Sequence, residues 1–155
     1  GALIAGASEN ELETVGSFGE AIGIGFQVRD DLLNITEESE TEAPSAGAGG
    51  YGKERGGDIA EGKRTLITIE LLERLSEKDA ERVRSILLET REQIPESDID
   101  WCIIQAESTG ALNAAANYCH EQAKLASAAL EKLPNQHVSS LLGELVDYLT
   151  IDRKA

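Results

Sequence analysis

Four polar side chains, Gln27, Asp30, Asp31 and Asn34, recur at i, i+3, i+4 and i+7. On a helix of 3.6 residues per turn they share one face. Adjacent carboxylates repel each other, and near a helix C-terminus they also oppose the helix dipole. A bound cation relieves both costs. Mg2+ suits the pair, because it takes hard oxygen ligands and is usually held by one or two carboxylates together with substrate phosphates. A solvated polar face has the same pattern. The second segment of interest is Gly52-Lys53-Glu54-Arg55-Gly56-Gly57-Asp58-Ile59-Ala60-Glu61-Gly62-Lys63-Arg64-Thr65. Only six of the fourteen basic residues are lysine, yet Lys53 and Lys63 both fall here among four glycines. Glycine lets backbone approach a ligand closely, and lysine offers phosphate a point charge. Walker spacing is absent. Taken alone, a flexible connector with incidental charges fits this segment equally well.

The elements that carry these residues read as helix after helix. Ser8 and Glu11 form a capping box, and the helix they open runs to about Asn34. Leu12, Val15, Ile22 and Phe26 mark its expected buried side. Gly16, Gly19, Gly23 and Gly25 are costly inside a helix unless a neighbour packs very close or the helix bends. Residues 37–57 have the composition of a mobile loop. Helical periodicity resumes at Thr65. Ser76 with Asp79 caps the next helix, which stops before Pro95. Ser97 with Asp100 caps another, which Gly110 ends. An alanine-rich helix reaches Leu133-Pro134, and a last one runs from Asn135 through Val138, Leu141, Leu142, Leu145 and Leu149. No segment of comparable length alternates like a strand, so the fold class is all-α, built by helix packing.

Composition narrows the function classes. The 155 residues include 29 acidic and 14 basic ones, a formal charge of -15. Nucleic acid is excluded as a partner, since phosphate backbones need a basic face; an anionic membrane surface would repel the chain too. The excess reads as salt adaptation or as an ordinary acidic cytoplasmic protein. No apolar run approaches the length of a transmembrane segment, and no signal peptide is recognisable. Cys102 and Cys119 match no zinc spacing and read as buried free thiols, and His120 and His137 as structural or solvated. The chain contains no methionine and opens Gly1-Ala2-Leu3-Ile4-Ala5-Gly6, so an upstream segment is expected.

In this order, the two segments resemble a known family. Phe26-Gln27-Val28-Arg29-Asp30-Asp31-Leu32-Leu33-Asn34 resembles the second aspartate-rich motif, FQxxDDxxD, of the trans-isoprenyl (polyprenyl) diphosphate synthases of the geranylgeranyl and farnesyl type. The glycine-lysine segment matches their GKxxGSDLxxGK(K/R)T stretch without a gap, with Gly57 in place of serine and Ile59 in place of leucine. Glu107-Ser108-Thr109-Gly110-Ala111 and Ala129-Leu130-Glu131-Lys132-Leu133-Pro134, with Tyr148 and Arg153, are similar to the family's C-terminal part. The resemblance covers residues 1–155 and implies the C-terminal half of a helical bundle of the isoprenoid synthase type.

The resemblance implies a Mg2+-dependent prenyltransferase of isoprenoid biosynthesis that joins isopentenyl diphosphate to an allylic diphosphate. By motif match, Asp30 and Asp31 would hold Mg2+, with Asp30 the main ligand. Gln27 would lie beside the substrate, and Lys53 and Lys63 would bind the allylic diphosphate. Asn34 stands where the motif has its last aspartate and brings no charge, so a metal role for it is in doubt. The first aspartate-rich motif and the basic residues for isopentenyl diphosphate lie upstream in the family and are absent from residues 1–29. The chain is therefore expected to need a missing N-terminal half or a partner subunit, to be inactive alone, and to form a homodimer when complete. The alternative is a non-catalytic, prenyl-synthase-like subunit that binds and modulates a partner synthase.

Overall fold

Local signals in the sequence set most helix boundaries. The structure is a computed structural model that describes residues 1–36 and 55–152. Ser8 and Glu11 open helix α1 (Glu9–Thr36) reciprocally. The Glu11 carboxylate accepts the Ser8 backbone N–H at 2.8 Å, and the Ser8 hydroxyl accepts the Glu11 N–H at 3.4 Å. The Ser8 hydroxyl also donates to the Glu11 carboxylate at 2.7 Å, and this bond, then the one from the Ser8 backbone N–H, lowers the Glu11 pKa from its ordinary value. Helix α2 (Gly57–Ala60) is a single turn. Thr65 caps α3 (Leu66–Arg74) and Ser76 caps α4 (Glu77–Ile86), each accepting a backbone N–H three residues on. After a 3₁₀ turn at Arg91–Gln93 come α5 (Glu96–Ser108), α6 (Ala111–Leu130) and α7 (Gln136–Asp147), the last capped by Asn135. A π turn, Tyr148–Asp152, follows. Every regular element among the described residues is helical.

Several expectations need correction. The N-cap of α5 is Pro95 and makes no side-chain cap, so Ser97 lies inside the first turn. Proline suits the edge of a helix because its fixed φ is already helix-like and it has no N–H to leave unsatisfied. The alanine-rich helix stops at Leu130, short of Leu133. On α1 Val15 is 39% exposed, while Thr14, Ala21, Val28, Leu32 and Ile35 are buried. Apart from Leu32 and Leu33, the buried residues of α1 are small, polar or β-branched, which a search for large apolar side chains passes over. On α7 the same thing happens: Val138, Leu141 and Leu145 are exposed and Val146 is fully buried.

The chain divides into two compact units, Gly1–Arg29 with Ala116–Lys154 and Asp30–Ala115. In the first, Ala21, Ala123, Ala126, Leu130 and Val146 form the core, flanked by Phe18, Ile22, Leu133 and Leu142. Small side chains bring backbones close. A Cβ at Gly25 would stand 2.9 Å from Thr150 Cγ2 and 3.3 Å from Gln122 Cβ, whereas Gly16, Gly19 and Gly23 face open space. Only Gly25, therefore, answers to close packing. Cys119 Sγ lies 3.2 Å from the carbonyl oxygens of both Gly25 and Thr150.

In the second unit α3 packs on α4 and α5, and α2 packs on α5. Ile59, Ile67, Leu71, Val83 and Cys102 line an apolar cavity. Both cysteines are buried free thiols. No helix among the described residues is long and apolar enough to cross a membrane.

Candidate functional site

A helix leaves its last four carbonyls without intrahelical partners. At the end of α1 two of these carbonyls are met by the segment that leads into α2. Gly56 N–H donates to the Asn34 carbonyl at 2.9 Å, and Arg55 Nε donates to that of Ile35 at 2.8 Å. The Arg55 guanidinium also lies 3.6 Å from the Glu107 carboxylate on α5. The Asn34 side chain joins in: its Oδ1 accepts the Asp58 backbone N–H at 3.0 Å. Asn34 is only 5% exposed.

Gly56 makes this approach possible. Its φ is +76°, a left-handed conformation that glycine adopts at little cost. A Cβ there would sit 2.4 Å from Ile99 Cγ2. Gly62, with φ +66°, makes the second tight turn, where a Cβ would stand 2.6 Å from the Leu87 carbonyl oxygen.

Asp58 lies between these glycines, and Lys63 directly follows the second. Lys63 Nζ donates to Asp58 Oδ1 at 2.6 Å and lies 2.9 Å from Glu61 Oε2. The hydrogen bond to Asp58, then that to Glu61, raises the lysine pKa above its ordinary range despite some desolvation. Lys63 is thus an ammonium at any physiological pH.

The predicted residues fall into place as follows. Asp31 is buried and Asp30 half-buried in the last turns of α1, within the second unit. Gln27 is exposed, one turn earlier on the same helix. Asn34 and Lys63, 29 positions apart by their numbers, are joined through one residue, Asp58. Lys53 and most of the proposed loop, residues 37–54, lie outside the described residues. The Arg55–Gly57 part of that segment is a turn followed by the start of α2.

The site's residues fit a shared divalent cation. Among the described residues no group of three or more acidic, histidine or cysteine ligands forms a closed cage. Asp30 and Asp31 are hard oxygen donors of the kind a divalent cation takes, with phosphate oxygens and water able to complete its shell.

Sequence reasoning passed over Asp58 and Asn34's packing role. Asp58 was visible as an acid five residues before Lys63, but the i, i+5 spacing across a glycine turn is no helical pair, and only the fold brings them together.

Comparison with known proteins gives this geometry its setting. Residues 1–103 match the polyprenyl synthetase family. The chain is 33% identical over 149 residues to a short chain isoprenyl diphosphate synthase of Methanothermobacter thermautotrophicus, covering 96% of this chain and 42% of that protein. It is 32% identical over 150 residues to a geranylgeranyl pyrophosphate synthase of Geoglobus acetivorans, covering 96% and 41%. It therefore spans about two-fifths of the length of these relatives. A polyprenyl synthase from Caulobacter crescentus, complexed with calcium and isoprenyl diphosphate, superposes with a TM-score of 0.79 at 28% identity, over 99% of this chain and 43% of that one. A geranylgeranyl pyrophosphate synthase from Corynebacterium glutamicum, complexed with isoprenyl diphosphate and magnesium, gives 0.78 at 29%, over 99% and 41%. With this family match over residues 1–103 and the helical architecture of the described residues, the chain belongs to the polyprenyl synthetase family.

Proposed function

We propose that this chain supplies the diphosphate-holding part of a trans-prenyltransferase, in which isopentenyl diphosphate is condensed with an allylic diphosphate to give a longer trans-prenyl diphosphate. The observation that carries this reading is the linkage of the aspartate-bearing end of α1 to Lys63 through Asn34 and Asp58. It fixes a cation at a set place relative to the helix that carries two carboxylates. The isoprenyl diphosphate found with calcium or magnesium in the Caulobacter and Corynebacterium proteins supports the same ligand class here.

In the proposed reaction the allylic C–O bond breaks and the electron pair leaves with the diphosphate. The double bond of isopentenyl diphosphate attacks the allylic carbon, and loss of a proton restores a double bond. The barrier lies in charge separation, so fixed positive charge beside the departing oxygens lowers it. Lys63 would stabilise the departing diphosphate, with Asp58 holding the ammonium in place, and Lys53 would add a second cation. Gln27, exposed on α1, would lie beside the substrate. Asp30 and Asp31 would hold Mg2+, which when bound neutralises phosphate charge.

The reading places the isopentenyl diphosphate site and the first aspartate-rich motif outside these residues, on an N-terminal half or a partner subunit. The complete assembly would be a homodimer working in the cytoplasm.

Calorimetric titration of inorganic diphosphate into the chain, with and without Mg2+, tests this directly. Binding should require Mg2+ and weaken at least tenfold in Lys63→Ala, the loss of about 1.4 kcal/mol that one charge-assisted hydrogen bond supplies. No binding by the unaltered chain, or binding indifferent to both Mg2+ and Lys63, would overturn the assignment. Condensation by the pure chain alone would overturn the placement of the first motif elsewhere.

A further inference from the structure

We infer that Asn34 is a positioning residue rather than a metal ligand: from the end of α1 it caps α2 and so fixes the Asp58–Lys63 pair. The inference deepens the proposed diphosphate site and, as to Lys63's role, rests on it. A helix N-cap side chain normally accepts the N–H of the second or third helical residue. The N-cap of α2 is Gly56, which has no side chain to do so. Nor can Gly56 be replaced by a capping residue, since any Cβ would strike Ile99 and the backbone is left-handed. The acceptor for the second helical residue comes instead from Asn34 Oδ1, 3.0 Å from the Asp58 N–H.

The same residue serves twice, because its backbone carbonyl accepts the Gly56 N–H. Its side chain is engaged, buried, and directed at α2. The two motif departures that bear on this site also meet in space: a Cβ at Gly57 would lie 3.6 Å from Asn34 Nδ2. Charge explains why an amide suits this place. Asp31 and Asp58 are both buried, and a carboxylate in place of the Asn34 amide, whose oxygen meets the Asp58 N–H, would compete with Asp58 for positive charge. Asparagine keeps the acceptor and omits the charge.

The test compares Asn34→Ala, which removes the acceptor, with Asn34→Asp, which keeps it. Two readouts are taken on the full chain: hydrogen exchange of the Asp58 amide, and calorimetric titration of Mg2+ with inorganic diphosphate. Asn34→Ala should speed Asp58 amide exchange about fivefold or more, the equivalent of one lost hydrogen bond, while Asn34→Asp retains the protection. Asn34→Ala should weaken diphosphate binding, and in a Lys63→Ala background it should add no further loss. Mg2+ affinity should stay within about twofold in Asn34→Asp, whereas a directly ligating carboxylate would tighten it tenfold or more. Unchanged Asp58 exchange in Asn34→Ala, or a marked gain in Mg2+ affinity in Asn34→Asp, would overturn the inference. If the unaltered chain binds no diphosphate, the proposed function fails, and the exchange readout still decides the capping role.

Discussion

Asp58 holds the Lys63 ammonium at 2.6 Å with only 7% of its own side chain exposed, against 46% for the lysine. The asymmetry decides what each deletion costs. Removing the lysine leaves a carboxylate that water cannot reach. Removing the carboxylate leaves an ammonium that water can solvate. A fully buried pair broken from one side costs about 3–5 kcal/mol. Exposure of the lysine reduces this to about 1 kcal/mol for Lys63→Met, and Asp58→Asn should cost less. Urea unfolding of the two variants checks the order; a larger loss in Asp58→Asn would contradict it.

The pH dependence of that difference has a definite sign. The pKa of Lys63 is raised in the folded chain. Its stabilisation is therefore fully present below the unfolded lysine value of about 10.4 and is lost as pH rises through the folded value. The stability gap between the unaltered chain and Lys63→Met, followed by denaturant titration, should stay level on the alkaline side up to about pH 10 and shrink above it. A gap already closing near pH 8 would show that the hydrogen bonds to Asp58 and Glu61 do not hold the charge.

The sequence made the helices legible wherever a side chain caps its own helix: Ser8, Thr65, Ser76 and Asn135 all do. It misled at Ser97, where a proline two residues earlier already starts the helix. The buried seam of α1 was illegible because Thr14, Ala21 and Gly25 carry little hydrophobic signal, yet all three are buried and Gly25 sits close against Thr150 and Gln122. The aspartate stripe and the lysine segment were each visible. Their connection was not, because it runs through a backbone N–H and a left-handed glycine, neither of which depends on a recognisable side-chain period.

Gly56 and Gly62 should tolerate alanine poorly. Each has a left-handed φ, which costs a side-chain-bearing residue about 1–2 kcal/mol. Each also lacks room, with a Cβ 2.4 Å from Ile99 Cγ2 at the first and 2.6 Å from the Leu87 oxygen at the second. Overpacking adds about 1–3 kcal/mol. Gly62→Ala meets backbone, and Gly56→Ala meets a methyl on the stiff β-branched Cβ of Ile99, so both should lower the midpoint of thermal unfolding. Near-native stability in both would mean that the turns around Asp58 are not held as described.

The glycines of α1 should behave in opposite ways. Gly16, Gly19 and Gly23 face open space in this chain, so alanine at each should stabilise by up to about 1 kcal/mol through helix propensity. At Gly25 the same gain is outweighed, since the new methyl would meet Thr150 Cγ2 at 2.9 Å. Thr150 is β-branched and buried and has little freedom to turn away. Gly25→Ala should therefore destabilise by about 1 kcal/mol net. Thermal unfolding of the four single variants provides the comparison, and a stabilising Gly25→Ala would refute the close approach of Thr150.

The thiols give a further check on burial. Desolvation pushes Cys102 up to about 11, with the nearby Asp98 charge adding to the rise, and burial also raises Cys119. The thiolate is the reactive form, so at neutral pH Cys102 is ionised to only about one part in ten thousand. Neither cysteine should react with iodoacetamide in the folded chain except through opening. Because both pKa values are raised, folding holds protons that the unfolded chain releases above about pH 8.5, and stability must fall as pH rises past that point. Labelling followed by mass spectrometry should therefore show each cysteine protected in the folded chain and modified at a rate that rises with added urea. Rapid single labelling at Cys119 without urea would show that its sulfur is not enclosed between the Gly25 and Thr150 carbonyls.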